Sequence, residues 1–403
     1  MLDHSVYWRL DSGGPLGKRK TNTLFRTAVD NLSLTATPNG EMQENQCAEL
    51  IGRYEQIIVE KRLSWTTHLR LLRQLGAGGQ GIVYLTERRG SDGFTLPVAL
   101  KIFAPDRYAT PNSYDDDMAR MGRVAASVAR IQHENLLVVQ NFLDRDRIRM
   151  MVMEWVEGFD LRRLLTPKMY GVVKRRVSAK RWQYINEVLV TAGPVQPRFK
   201  AGVAIAIVRD CLEALAALHR QGIVHGDVKP ANIMLKRSGH AKMIDIGSAF
   251  EMADPPGASA CTPAYAAPEV LEGASQSTLT DLASLGYVTM ELLSGRPLFS
   301  QAKDLPELVE AKQQILERLP ELMPEEVAAN DLLMTFCRGL VNPDPDQRFP
   351  SAEAAELLEE GAAAFHRQLI KNDMSSEYEN DIRIWIEELL EIKDELFVDE
   401  EDH

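Results

Sequence analysis

The chain has 403 residues, 45% hydrophobic and 26% charged, which is enough for about two packed lobes with extensions. The formal net charge is −12, and thirteen acidic against three basic residues in the segment 371–403 account for most of it. The remainder is nearly neutral, so charge gives no argument for nucleic-acid binding.

The sequence contains no feature that points to secretion or to a membrane. Its four cysteines are scattered without metal-ligand spacing, which is typical of reduced thiols. The first residues lack a basic region followed by an apolar core, so we expect no signal peptide. The most apolar predicted helix, residues 201–219, carries charged residues, which excludes a membrane span. These patterns predict a cytoplasmic protein.

Residues 1–67 form an N-terminal extension. Residues 1 to about 40 contain glycine and proline breakers and predict a loosely docked arm. Residues 41–61 carry apolar side chains at helical spacing, which predicts a helix. Both packing on the next lobe and binding of a partner are compatible with that helix.

Three strands are predicted next, at residues 68–75, 82–88 and 96–103. The glycine-rich run from Gly76 to Gly81 joins the first two. Glycines allow backbone N–H groups to approach a phosphate closely. A strand follows this run, whereas a Rossmann dinucleotide site requires a helix there.

A helix is predicted over residues 113–132, followed by two strands at 136–142 and 148–153. A second motif, after the glycine-rich run, is the segment from Ile223 to Asn232. Its apolar start leads into a loop with an acid, a lysine and an amide at fixed offsets. Such a set can orient a hydroxyl, hold a phosphate and ligate Mg²⁺.

Several motifs, in this order, resemble those of the protein kinase family over about residues 68–370. The run from Ile223 to Asn232 resembles the catalytic loop His-Arg-Asp-x-x-x-x-Asn. The glycine-rich run and Lys101 resemble the nucleotide flap and its phosphate-binding lysine, and Asp245-Ile246-Gly247 resembles Asp-Phe-Gly. Lys229, two residues after the acid, resembles the lysine of Ser/Thr kinases, and the simple glycine-rich run and the short activation segment resemble the bacterial type of that family.

The resemblance implies an α+β, bilobal protein-kinase fold. The small lobe, 68–155, would be an antiparallel β-sheet with one helix, and the larger lobe, 156–370, would be mainly α-helical. The resemblance also implies that Asp281 supports the catalytic loop from below. It further implies that Arg348 pairs with Glu269, the last residue of the Ala-Pro-Glu motif.

The implied reaction is transfer of the γ-phosphate of MgATP to a Ser or Thr hydroxyl of a protein substrate. By resemblance, Asp227 is the catalytic base, Lys229 and Lys101 contact phosphates, and Asn232 and Asp245 bind Mg²⁺. The residues implied to contact ATP are Leu75, Gly76, Gly78, Gly81, Val83, Ala99, Lys101, Met153, Glu154, Val156, Asp160 and Met234.

Two of the departures from the family pattern bear on activity and its regulation. The family glutamate that pairs with the lysine should stand at Val124, counting back from His133. Either another acid holds Lys101, or the helix sits differently, or activity is low. The alternative function is therefore a pseudokinase or nucleotide-binding scaffold that acts through its extensions. Gly226 replaces the arginine that receives an activation-loop phosphate, which predicts a kinase without that requirement.

The charge distribution suggests an internal contact. A basic insert at about 166–200 precedes the catalytic loop, and an acidic tail, 371–403, contains an amphipathic helix predicted at 380–397. The insert is either solvated surface or a docking surface. The helix either packs on the kinase body, or binds a partner, or docks near the insert. If the tail rests on the insert through exposed charges, salt weakens the contact.

Overall fold

The computed structural model describes residues 47–60, 62–63, 69–256, 261–371 and 378–392. The arm predicted at residues 1 to about 40 lies outside this part. The helix predicted at 41–61 corresponds to α1, Ala48–Glu60, and residues 41–46 are not described. Within the described residues, no helix has the length and apolar character needed to cross a membrane.

The first lobe is an antiparallel sheet with a helix packed on it. Its strands are β1 (Arg62–Leu63), β2 (Leu69–Gly78), β3 (Gly81–Arg89), β4 (Thr95–Phe103), β5 (Val139–Arg145) and β6 (Ile148–Glu154). They lie in the order β1-β2-β3-β4-β6-β5, and β4 is buried from Val98 to Phe103, so it forms the centre of this lobe.

The glycine-rich run consists of the end of β2 and a two-residue turn, Gly79 and Gln80, that leads into β3. We predicted the end of β2 at Leu75, but the strand continues to Gly78, which pairs with Gly81. Gly81 has a φ of +137°, and a Cβ there would overlap the carbonyl oxygen of Ile102 on β4. Only glycine fits this close approach of two strands.

Helix α2, Pro111–Val128, packs against β5. Its start is fixed by Thr110 and Ser113, which form a capping box, and by proline at the first helical position. The helix ends at Val128, four residues before the predicted limit of 132.

The second lobe is mainly helical around two buried helices. The helix Ala201–His219 leads into the catalytic loop, and the helix Thr278–Ser294 carries Asp281, which bonds the backbone of that loop. Both are apolar on nearly all sides, as expected for helices inside a large core. The elements are β7 (Gly158–Asp160), α3 (Leu161–Leu164), α4 (Pro167–Arg176), α5 (Ala179–Tyr184), β8 (Val190–Thr191), β9 (Arg198–Phe199), α6 (Ala201–His219), β10 (Ile223–Val224), β11 (Ile233–Lys236), β12 (Ala241–Met243), β13 (Phe250–Glu251), α7 (Pro268–Leu271), α8 (Thr278–Ser294), α9 (Leu305–Gln313), α10 (Ile315–Leu322), α11 (Glu325–Ala328), α12 (Asp331–Val341), α13 (Ala352–Leu357), α14 (Ala362–Lys371) and α15 (Tyr378–Glu391). The fold class and the bilobal α+β architecture are confirmed.

The sequence predicts a single last helix of the larger lobe, from Ser351 to about Lys371, and this prediction was wrong. Residues 351–371 form two helices, α13 and α14, with a turn at 358–361 between them. The backbone N–H of Gly361 donates to Leu358 O at 2.9 Å, which closes the turn. A Cβ at Gly361 would crowd the carbonyl oxygen of Ala355, so glycine permits the chain to fold back there.

The acidic tail contributes helix α15, which packs on α6, β11 and the end of the insert. Trp385 is 2% exposed and contacts the ring of Phe199 edge-on at 6.0 Å. At Gly202 on α6, a Cβ would overlap the ring of Tyr378. The helix predicted at 380–397 ends at Glu391, and residues 393–397 lie outside the described part.

Polar contacts join α15 to the insert at its rim. Glu388 accepts from Arg181 Nε at 2.8 Å, and Asp381 accepts from the Tyr184 hydroxyl at 2.7 Å. The contact between insert and tail is thus an apolar interface around Trp385, flanked by one ion pair and one hydrogen bond from a tyrosine.

Candidate active site

The polar loop after β10 is held from below by a buried carboxylate. Asp281 of α8 is 1% exposed and accepts from the backbone N–H groups of His225 at 2.8 Å and Gly226 at 2.9 Å. His219 Nε2 lies 2.9 Å from the same carboxylate. Because two consecutive N–H groups are fixed, the residues that follow have a defined direction.

Asp227 is the centre of a three-residue network. The Thr262 hydroxyl donates to one carboxylate oxygen at 2.7 Å, and Lys229 Nζ donates to the other at 2.6 Å. Lys229 also donates to the Thr262 hydroxyl at 2.9 Å. Asn232 Nδ2 donates to the Asp227 carbonyl at 2.8 Å. The acid, the cation and the amide of the loop therefore lie side by side.

The opposite wall is formed by Lys101 on β4 and Asp245 after β12. Lys101 is 4% exposed, and its Nζ donates to the two carboxylate oxygens of Asp245 at 2.8 and 3.0 Å. Burial alone would raise the pKa of Asp245. The Lys101 ammonium and the Gly247 N–H outweigh that effect and hold this pKa below its usual value.

The residues predicted to contact a nucleotide are brought together by strand pairing. In the sheet, Val83 pairs with Lys101 and Ala99 pairs with Met153. Below it, Met234 on β11 pairs with Asp160 on β7. The rest of the set lies on β2 (Leu75, Gly76, Gly78), at the start of β3 (Gly81), at the end of β6 (Glu154) and just after it (Val156).

Two of these predicted residues have side chains engaged elsewhere. Glu154 accepts from Lys242 Nζ at 2.5 Å and from the Val138 N–H at 2.8 Å. Its backbone is thus the part that remains for a ligand. Asp160 caps α3 by accepting from the Arg163 N–H at 3.0 Å, and burial raises its pKa.

The sequence model of the protein kinase domain matches residues 69–359. The chain belongs to the protein kinase domain family. Serine/threonine-protein kinase pkn2 of Myxococcus xanthus is 29% identical over 310 residues, which cover 73% of this chain and 33% of that protein. PkaA of Streptomyces coelicolor is 30% identical over 296 residues, covering 69% of this chain and 47% of the relative.

A third relative, PrkC of Bacillus subtilis, is 28% identical over 307 residues, covering 74% of this chain and 41% of the relative. The matched region therefore spans between a third and a half of the length of these three relatives. The bacterial type of the family, predicted from the motifs, is confirmed.

In this kinase domain, α2 supplies no acid to Lys101. Val124 is 1% exposed and belongs to the core of the first lobe. Of the acidic residues earlier on α2, Asp115 pairs with Arg149 at 3.4 Å, Asp117 lies 3.8 Å from Arg107, and Asp116 is exposed on the surface. The departure predicted at Val124 is thus a real difference in how Lys101 is surrounded.

A contact that the sequence analysis missed lies at Lys101. Its Nζ donates to Gln80 Oε1 at 2.7 Å, across the glycine-rich turn. The only available signal was a long amide side chain inside a run of small residues. Thr262 was also missed, although it stands in the kinase motif Thr-Pro-x-Tyr and contacts Asp227 directly.

Three contacts hold the end of the activation segment, residues 261–269 of the described part of the chain. Tyr265 donates to Glu291 at 2.6 Å, and the buried Lys312 donates to the Ala264 carbonyl at 2.9 Å. Arg348 forms two hydrogen bonds with Glu269, at 2.7 and 2.8 Å, so the pair implied by the family resemblance is present. Burial raises the pKa of Cys261 to about 11, which keeps this thiol protonated near neutral pH.

Proposed function

We propose that this chain is a Ser/Thr protein kinase that transfers the γ-phosphate of MgATP to a hydroxyl of a protein substrate. The observation that carries the proposal is the network at Asp227. A carboxylate that accepts from both Thr262 and Lys229 has a fixed orientation next to a cation. Phosphoryl transfer needs little covalent chemistry from a protein and depends on positioning and charge, which this network supplies.

Each residue of the site has a proposed role. Asp227 orients the attacking hydroxyl and accepts its proton. Lys229 and Lys101 stabilise negative charge on the transferred and leaving phosphates. Asn232 and Asp245 hold Mg²⁺, and the strand residues described above surround the nucleotide.

The donor set fits Mg²⁺, which prefers oxygen ligands. The amide nitrogen of Asn232 is bonded to the Asp227 carbonyl at 2.8 Å, so its amide oxygen remains for a metal ion. Asp245 supplies a carboxylate that is ionised at neutral pH, because its pKa lies below the usual value. When bound, Mg²⁺ supplies neutralisation of phosphate charge; the protein residues provide the orientation.

We further propose that activity does not require phosphorylation of the activation segment. Gly226 stands where the family has a phosphate-binding arginine. The bond from the buried Lys312 to the Ala264 carbonyl supports an alternative anchor that needs no phosphate. Protein treated with a phosphatase and then freed of it should transfer phosphate to an exogenous substrate from the first time point at full rate. A lag that ends as label appears on the segment itself would contradict this.

Radiolabelled ATP with Mg²⁺ and a generic basic protein substrate tests the main proposal, with wild type beside Asp227→Asn. Asparagine keeps the size of the side chain but cannot accept a proton, so transfer should fall by about a hundredfold or more. The variant should still bind MgATP, which is measured as an increase in its unfolding temperature when MgATP is added. Equal label on both proteins would refute the role of Asp227.

The burial of Val124 favours one alternative, a nucleotide-binding scaffold. In that case, wild type and Asp227→Asn would both bind MgATP and neither would transfer phosphate. The same experiment therefore separates the two functions.

A further inference from the structure

No carboxylate of α2 contacts Lys101, but Asp245 is not its only partner among the described residues. Gln80 lies at the tip of the turn between β2 and β3, and its Oε1 accepts from Lys101 Nζ at 2.7 Å. This is as short as the 2.8 Å contact between Lys101 and Asp245. The ammonium is therefore bound from two sides, by a neutral amide and by a carboxylate.

Gln80 itself is fixed by further contacts at both its ends. Its Nε2 donates to the Ser248 hydroxyl at 2.9 Å, and its backbone carbonyl accepts from the Ala104 N–H at 3.0 Å. The first contact ties the turn to the residues after Asp245, and the second ties it to the end of β4. A side chain held in this way presents its oxygen in a defined direction.

The packing around the amide supports a built arrangement. A Cβ at Gly247 would overlap both Gln80 Oε1 and Lys101 Nζ. The glycine after Asp245 and Ile246 thus leaves the space in which the amide and the ammonium meet. The turn brings Gln80 there because Gly81 lets β3 run directly against β4, which carries Lys101.

We propose that Gln80 is the positioning residue for Lys101 and takes over the task that a carboxylate on α2 performs elsewhere in the family. A carboxylate on Asp245 that ligates Mg²⁺ has less capacity for Lys101, whereas the Gln80 amide is neutral and a weak metal ligand. Gln80 thereby keeps Lys101 directed at the nucleotide phosphates. This inference rests on the proposed function, since it assumes that the nucleotide is ATP.

The test is ATP binding by Gln80→Leu, measured by calorimetry with Mg²⁺ present, alongside Gln74→Leu as control. Gln74 is an exposed glutamine on β2, so the control makes the same change on the neighbouring surface. Hydrogen bonds to charged groups are strong enough that Gln80→Leu should raise the Kd for ATP by about tenfold to a hundredfold. Adenosine has no phosphates for Lys101, so its Kd should stay unchanged.

A double-mutant cycle separates positioning from a direct role of Gln80. In a Lys101→Ala background, Gln80→Leu should have no further effect on the Kd for ATP, because Gln80 acts through Lys101. An equal loss in both backgrounds would overturn the proposal. So would a Gln80→Leu protein that binds ATP as wild type does, or one that loses adenosine and ATP in parallel.

Gln80→Ala, run in parallel and checked by thermal unfolding, removes the same oxygen without adding an apolar side chain to the turn. These binding measurements need no phosphate transfer. If wild type binds ATP but labels no substrate, the proposed function fails while the role of Gln80 is still decided by the cycle. If the wild type binds adenosine and ATP equally, Lys101 contacts no phosphate and the proposal for Gln80 is refuted.

Discussion

The pair between Arg348 and Glu269 gives a quantitative test of how burial determines the value of an ion pair. The Arg348 side chain is 0% exposed and that of Glu269 is 19% exposed. Beyond its two bonds to Glu269, Arg348 donates to the Asn342 carbonyl at 2.7 Å. It also donates to two further backbone carbonyls, those of Leu279 and Pro343.

Arg348→Ala leaves a partly buried carboxylate and three carbonyl oxygens without their donor. Breaking one side of a buried pair costs about 3–5 kcal/mol in the free energy of unfolding. The matched control is Arg123→Ala, because Arg123 and Asp254 also meet at 2.7 Å but are 58% and 54% exposed. An exposed pair is worth less than about 1 kcal/mol.

Urea unfolding, followed by tryptophan fluorescence at low and at high salt, measures both changes. The loss in Arg348→Ala should persist at high salt, whereas the small loss in Arg123→Ala should vanish, because salt screens exposed charges. If the two variants lose the same free energy, or if salt abolishes the effect at Arg348, the argument from burial is refuted.

Two further predictions concern pH and the tail. Burial raises the pKa of Asp210 from 3.8 to about 6, so the folded state holds its proton more strongly than the unfolded state. This contribution is complete below pH 3.8 and is lost as the pH rises through about 6. Relative to Asp210→Asn, the wild type should lose about 2 kcal/mol of unfolding free energy between pH 4 and 7; parallel pH curves would contradict this. For the tail, Trp385→Ala should cost about 3–5 kcal/mol, since it empties a buried site. Glu388→Ala, which breaks the half-buried pair with Arg181 beside the same interface, should cost less, about 1–3 kcal/mol. Equal losses would mean that charge, not apolar packing, holds α15.

The elements that the sequence predicted well have both a local pattern and a fixed place in the kinase motif order. Helix α6 is apolar over most of its length and leads to the catalytic loop, and β4 ends near Lys101 after a run of apolar residues. Such features need no knowledge of distant contacts. The family and the fold class followed from them and are confirmed.

The features that the sequence did not predict depend on residues far apart in the chain. Lys101 and Asp245 are 144 positions apart, and the hydrogen bond that Lys101 donates to Gln80 requires the particular turn at Gly79 and Gln80. Counting from His133 located Val124 as the position of the missing glutamate. The residue that we propose in place of that glutamate, Gln80, lies in a turn, where no periodic pattern could indicate it. The turn between α13 and α14 was missed because Gly361 is one glycine in an otherwise helical pattern.

The insert had readable signals that the charge pattern concealed. Thr166 and Ser178 cap α4 and α5 through their side chains, as such residues commonly do. The run of lysines and arginines drew attention to surface charge, and the helices beneath it were not predicted.

Gly202 lies in the first turn of α6, where glycine is a poorer helix former than alanine by about 0.5–1 kcal/mol. Its place is explained by the ring of Tyr378, which occupies the space that a Cβ would need. The glycine at this position in the kinase domain is therefore explained by the docking of the C-terminal helix that carries Tyr378. Among relatives, glycine at this position should accompany a docked C-terminal helix, and chains without such a helix are free to carry alanine. The residue type at the position of Gly202, inside the domain, would thus indicate which family members have a docked C-terminal helix outside it.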